Sequence, residues 1–226
     1  MDYNNNENWL NQVFVARTHH RRIIVGSADA PTGSRMGGKP PSRLASSPPK
    51  CACCGGPLEY VLTIGNDIVG DQIAHGNFLS MLCCRRLECL WRGREIVAPS
   101  PIALVFHPED RRADSASEID STSDGRILTL GPVCEDPVDE YGSVDTDRSK
   151  LGGGPGYIQA WGDEQTARAR SDGRCFLFQW CETDHPRDMD RGTYPFCGGV
   201  VYLFSRFSPA TILPELAGTT AFWQST

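Results

Sequence analysis

Histidine is scarce in this sequence, with five in 226 residues. Two sit together in "RTHHRR" (His19, His20), and the others are His75, His107 and His185, the last two each preceding a proline. That leaves few bases for acid–base or nucleophilic chemistry. Cys181 with His185 is the best nucleophile pair, but no third, orienting group stands out, so a cysteine-dependent enzyme is a minor alternative and the chain is read as non-catalytic. A phosphate-binding loop is also missing: "LGGGPG" runs into "YIQAWG", without the Lys-Ser/Thr that such a loop requires. Long apolar runs are absent as well. The longest, "IVAPSPIALVF", is broken by two prolines, and the opening "MDYNNNENWL" has neither a basic flank nor an apolar stretch. This excludes a membrane-spanning helix or a leader from the reading and predicts a soluble, cytoplasmic protein. Finally, there is no net positive charge: the chain carries −6. Nucleic acid is therefore a weak expectation. The arginines of "CCRRLECLWRGR" (Arg85, Arg86, Arg92, Arg94), with a tryptophan among them, keep a nucleic-acid-binding zinc ribbon as the alternative.

What the chain has in quantity is cysteine (10), glycine (23) and proline (16). In a reducing compartment, closely grouped cysteines point to metal thiolates rather than disulfides. Cys51 and Cys54 have the C-x2-C spacing of a zinc knuckle, followed by "GGP" for a tight turn; Cys84 and Cys89 have C-x4-C spacing at the end of an apolar run. If Pro57–Ile64 and Gly76–Leu82 pair antiparallel, both clusters meet at one end of the hairpin. A site of Cys51, Cys54, Cys84 and Cys89 is then expected, holding a structural Zn2+ with no open position for substrate. Cys53 and Cys83 are left over, and either could exchange into the site. Cys175, Cys181, Cys197 and His185 offer a second ligand set by arithmetic alone. Cys175 and Cys181, however, are expected to share one face of a strand as small buried hydrophobes.

The same pattern occurs twice. "SRMGGKP" (Ser34–Pro40) matches "SKLGGGP" (Ser149–Pro155), then "PLEYVLTI" matches "RCFLFQWC", and "GNFLSML" matches "GGVVYLF", at offsets of 115, 117 and 122. Slowly growing offsets suit a duplicated unit with small insertions. Each copy reads as a glycine-proline turn and two β-branched or aromatic strands. Further strands are expected at Arg22–Gly26, Ile102–Phe106 and Arg126–Leu130, with short helices at residues 7–16 and 163–170. The fold class is thus mainly β (α+β), an internally duplicated β-rich domain with a zinc-ribbon-like hairpin in the first repeat. The predicted organisation is an N-terminal extension (1–32), a first repeat (33–107), an acidic linker (108–148) and a second repeat (149–226). The linker is acidic because Glu109–Asp147 holds twelve acidic and three basic residues, a charge of −9.

"SRMGGKP", "CACCGGPLEYVLTI" and "NFLSMLCCRRLEC" resemble the programmed cell death protein 2 family, with its G-G-x-P turn, C-x2-C-G-x-P-L and strand ending in C-C-x4-C. "SKLGGGPGYIQ", "CFLFQW" and "GGVVYLF" are similar to the related YwqG-like family. The first copy has Thr63 where the family strand usually carries Gln, whereas the second keeps Gln179. The resemblance implies a protein-binding role: eukaryotic members are implicated as chaperones of a ribosomal protein, and some bacterial members sit beside toxin systems. The expected partner is a protein client, possibly with a basic segment, served by a chaperone-like or immunity-like factor.

Overall fold

The computed structural model describes residues 11–26, 33–69, 77–94, 100–108, 125–136, 138–139, 142–143, 146–159, 161–184, 196, 198–208 and 213–225. The fold is mainly β. Its strands are β1 (His19–Val25), β2 (Arg35–Met36), β3 (Glu59–Ile64), β4 (Asn77–Cys83), β5 (Ile102–Pro108), β6 (Arg126–Glu135), β7 (Val138–Asp139), β8 (Gly142–Ser143), β9 (Lys150–Leu151), β10 (Arg174–Cys181), β11 (Val200–Ser208) and β12 (Leu213–Gln224). The longest helix, Gly162–Ser171, lies where "DEQTARAR" predicts one, with Asp163 and Glu164 in its first turn and Arg168 and Arg170 in its last, as the helix dipole favours. Near the N-terminus the expected helix is a six-residue π-helical segment, Asn11–Ala16. No helix among the described residues is long and apolar enough to cross a membrane.

The chain divides into two compact units. One comprises Val25–Thr129 and His185–Pro195; the other comprises Met1–Ile24, Leu130–Asp184 and Phe196–Thr226. The first is called here the cysteine unit and the second the aromatic unit. In the cysteine unit the first residues of β6 lie beside β2, and β3, β4 and β5 follow in order, all antiparallel. In the aromatic unit β1 lies beside β9, and β10, β11 and β12 follow. The core of the aromatic unit is built of fully buried rings, Phe178, Trp180, Phe196, Tyr202, Phe204 and Phe222.

The two units share a set of hydrogen bonds at corresponding positions. Beside the two-residue strands β2 and β9, the next strand carries a one-residue bulge, at Val61 in β3 and at Leu177 in β10. The carbonyl of each bulged residue accepts from the first glycine of the Gly-Gly turn: Gly37 to Val61 at 2.8 Å and Gly152 to Leu177 at 2.9 Å. Both glycines of both turns have φ between +61° and +70°, a region open to glycine and costly for other residues. A β-carbon on Gly153 would lie 1.9 Å from the Asp136 carboxylate, so this turn also needs glycine for space. The serine before each turn is tied alike. The Ser34 amide donates to Asp67 at 2.8 Å and the Ser149 amide to Asp184 at 3.0 Å. Ser34 Oγ accepts from Gly65 N–H at 2.7 Å, and Ser149 Oγ from Cys181 N–H at 3.0 Å. The serine carbonyls accept from Leu128 and Ile23, at 2.9 and 2.8 Å.

Two features differ from the sequence expectation. The strand expected at Arg126–Leu130 is present but runs on to Glu135, five residues further into the stretch assigned to the acidic linker, and Asp136 behind it is buried. Leu128 points inward between half-buried Ile127 and exposed Thr129, a local pattern that a charge count over 39 residues averages away. Membership of the units also crosses the repeat boundaries. β1, from the predicted N-terminal extension, belongs with β9–β12, and the start of β6 belongs with β2–β5. Each two-residue strand therefore takes one neighbour from the other half of the sequence. The acidic segment Asp114–Asp124 lies outside the described residues.

Candidate metal centre

The hairpin of β3 and β4 runs antiparallel with Glu59 opposite Cys83, so the entry to β3 and the exit from β4 lie at the same end. The turn Cys51–Gly56 is closed by two backbone bonds, Cys51 N–H to Gly56 C=O at 2.7 Å and Gly55 N–H to Cys51 C=O at 2.8 Å. Gly55, with φ of +71°, makes that reversal possible. After Cys83 the chain turns through Cys84 to a short helix, Leu87–Leu90, which carries Cys89 inward. The sulfurs of Cys51, Cys54, Cys84 and Cys89 consequently all lie within 4.8 Å of one another, and the group could hold a metal ion.

The geometry fits a thiolate-bound metal and not a disulfide. Cys54 Sγ and Cys84 Sγ are 3.8 Å apart. In a tetrahedral site with zinc–sulfur bonds of about 2.3 Å, the sulfur–sulfur edge is about 3.8 Å, whereas a disulfide holds its sulfurs at about 2.05 Å. The Cys53 amide donates to Cys51 Sγ at 3.4 Å, the kind of backbone bond that stabilises a thiolate. The Cys54 thiol is pulled down to about 7, first by the backbone N–H of Gly56 and then, against desolvation, by the neighbouring cysteines. Desolvation pushes Cys84 and Cys89 upward. Without a cation these two would stay protonated at neutral pH; a bound divalent metal reverses that preference.

The cluster is continuous with an apolar core. Leu44, Leu58 and Leu82 are buried with Cys51, Cys84 and Cys89, and Cys53, Cys54, Ala103 and Val105 pack against them. Of the two leftover cysteines, Cys53 lies at the rim and its thiol is raised, chiefly by desolvation. Cys83 is fully buried in β4 and does not join the four-sulfur group. Outside the cluster, the short helix and the following turn expose Leu87 and Trp91, at 59 and 57 %. The Arg94 guanidinium stacks on the Trp91 ring, 3.7 Å from its centroid, and Arg85 pairs with Glu59.

The second ligand set is not brought together among the described residues. His185 and Cys197 lie outside them. Cys175 and Cys181 do not share a face: they pair with Ser205 and Val200, five positions apart on β11, because the bulge at Leu177 inserts one residue between them. Cys181 is buried, with its Sγ 3.0 Å from Thr183 Oγ1 and its thiol raised by desolvation.

Residues that sequence reasoning passed over are Lys150, Asp136 and Arg35. Lys150 Nζ donates to both carboxylate oxygens of Asp136, at 3.1 and 3.2 Å, with both side chains fully buried. The Gly154 amide also donates to Asp136, at 2.8 Å, and His20 Nδ1 stands 3.7 Å away. A basic residue after the serine in both "SRMGG" and "SKLGG" was the visible signal; its burial was not. The chain matches no family model, and no curated protein matches it in sequence.

Proposed function

We propose that the four cysteines bind one zinc ion as a structural centre and that the chain is a non-catalytic protein-interaction module, chaperone-like or immunity-like in role. The observation that carries the zinc reading is the set of four sulfurs within 4.8 Å, embedded in the leucine core of the cysteine unit. Four thiolates with one sulfur–sulfur separation at the 3.8 Å tetrahedral edge are the donor set of zinc or of an iron–sulfur centre, and the C-x2-C knuckle spacing favours zinc. Cys51, Cys54, Cys84 and Cys89 fill the four positions of a tetrahedral ion, so its contribution is to folding rather than to activating water. The likeness of both turns and both bulged strands supports internal duplication and, with the motifs, the kinship to the programmed cell death protein 2 and YwqG-like groups. From that kinship comes the protein client. Exposed Leu87 and Trp91, set on the metal-anchored turn, are the surface such a client would meet.

Elemental mass spectrometry tests the zinc reading. About one zinc per chain is expected in wild type, and none in Cys51→Ser/Cys54→Ser. A metal-free wild-type protein with a native circular dichroism spectrum would overturn it. A second reading, nucleic-acid binding, is favoured by the Arg94–Trp91 stack beside Arg85, Arg86 and Arg92. RNA association that weakens steeply with salt and is lost in Trp91→Ala would select it over the client.

A further inference from the structure

Arg35 occupies in the cysteine unit the position that Lys150 occupies in the aromatic unit. Each follows the latched serine, each is the first residue of a two-residue strand, and each pairs across to the residue two after a bulge, Thr63 or Gln179. Both are buried: Arg35 is 2 % exposed and Lys150 0 %. Among the described residues Lys150 has a counter-charge, Asp136, and Arg35 has none. Arg35 makes one long bond to the described residues, from Nη1 to the Gly33 carbonyl at 3.4 Å, while Nε and Nη2 have no partner among them. Its lateral neighbours cannot supply one. Ile127, opposite it on β6, is apolar. Thr63, opposite it on β3, belongs to a chain of bonds from the Tyr60 hydroxyl through Thr63 and Ser80 to His107 Nε2, at 2.8, 2.7 and 2.8 Å. Asp67 is held by the amide and hydroxyl of Ser34.

A buried cation without a counter-charge is strongly unfavourable, and buried charges in proteins are as a rule paired. We infer that Arg35 is an oxyanion site whose ligand is a carboxylate, the group that Asp136 supplies internally to Lys150. The aromatic unit shows the binding arrangement: a carboxylate on the buried cation, capped by the backbone N–H of the residue after the Gly-Gly turn, Gly154. In the cysteine unit the residue after Gly37-Gly38 is Lys39, which adds an exposed positive charge beside the same amide. The planar guanidinium, with two N–H groups to offer, matches a carboxylate's two oxygens better than an ammonium does. The carboxylate can come from a small acid or from the C-terminal end of a peptide; both are the same chemistry to Arg35. The inference does not depend on zinc or on the client reading.

The test uses the full-length protein in low-chloride buffer. The thermal midpoint and the Arg Nε–H resonances of 15N-labelled protein are followed during titration with acetate, with triglycine and with triglycine amide, at constant ionic strength. A saturable shift of one buried Nε–H and a midpoint raised by several degrees are expected with acetate or with triglycine. Acetate acting alone assigns a small acid; triglycine acting where the amide does not assigns a peptide end. Arg35→Met, which removes the unpaired charge, should melt no lower than wild type in carboxylate-free buffer and should lose the response. Arg35→Lys should keep it, as Lys150 accepts Asp136. Zinc content should be the same in all three proteins. A lower midpoint for Arg35→Met than for wild type without carboxylate would overturn the inference, as would a response of equal size in Arg35→Met, or no response in wild type to acetate or triglycine.

Discussion

The two units build the same strand-and-turn frame and fill it differently. The aromatic unit packs rings: Tyr202 and Phe222 stack at 5.0 Å between centroids, Phe204 lies 5.8 Å from Phe222 and Phe176 5.8 Å from Phe204. Its buried cation, Lys150, is neutralised within the chain. The cysteine unit has leucines and four converging sulfurs at the comparable depth, and its buried cation, Arg35, meets no carboxylate among the described residues. Large aromatic side chains supply much buried area per residue, and a frame in which Phe78 is the one buried side chain of that kind among the described residues draws more on another source of cohesion. The thiol cluster is placed to be that source. The difference predicts that the units answer to different perturbations, metal removal for one and ring truncation for the other.

The largest expected effect is metal removal. Structural zinc binding is worth on the order of 10 kcal/mol or more at neutral pH, comparable to a whole domain's net stability of about 5–15 kcal/mol. A chelator should therefore release amide protection in β3 and β4 while β10–β12 keep theirs, as read by hydrogen exchange. Retained protection in β3–β4 after complete metal loss would break the comparison. Acid should act in the same direction. Thiols must lose protons to bind, so affinity falls as pH falls, and zinc held at pH 7.5 should be released toward pH 5. The raised thiols of Cys84 and Cys89 add to the proton release on binding, measurable as a buffer-dependent heat in calorimetry.

Ring and ion-pair truncations come next, and they strike the other unit. Phe222→Ala removes a fully buried ring in contact with those of Trp161, Tyr202 and Phe204 and should cost about 3–5 kcal/mol in urea unfolding. Lys150→Met leaves the Asp136 carboxylate buried without its cation, at a cost of about 3–5 kcal/mol. Neither should change zinc content. A Phe222→Ala protein that loses zinc as well would show that the metal centre and the aromatic core are one cooperative unit.

Much of this was legible in the sequence because it rests on spacing. C-x2-C and C-x4-C flanking two apolar runs require only that those runs pair antiparallel, and they do. The Gly-Gly turns announce themselves because few other residues tolerate their φ. What could not be read is anything set by burial or register. Asp136 sits among twelve acidic residues and is indistinguishable by composition from the solvated ones, yet it is the buried partner of Lys150. The bulge at Leu177 is invisible in a hydrophobic run whose residues are nearly all buried, so a spacing of six by itself puts Cys175 and Cys181 on one face. The exchange of β1 and β6 between the units depends on which neighbour each short strand meets, and a two-residue strand has too little sequence to specify that.

The smallest effect is also the most direct comparison between units, the paired serines. Ser34→Ala removes a hydroxyl that accepts from Gly65 N–H and donates to Asp67; Ser149→Ala removes one that accepts from Cys181 N–H and donates to the Cys181 carbonyl at 3.3 Å. In each case a backbone N–H at the end of the bulged strand loses its acceptor, which costs about 1–3 kcal/mol when the site is buried. Both serines are 0 % exposed. If the two turns are copies of one device, the two losses in urea unfolding should agree within about 1 kcal/mol, and the double variant should show their sum, since separate sites act additively. A Ser149→Ala loss several times that of Ser34→Ala would mean that the latch matters only where an internal ion pair depends on it. The likeness of the two turns would then be one of geometry without equal energetic weight.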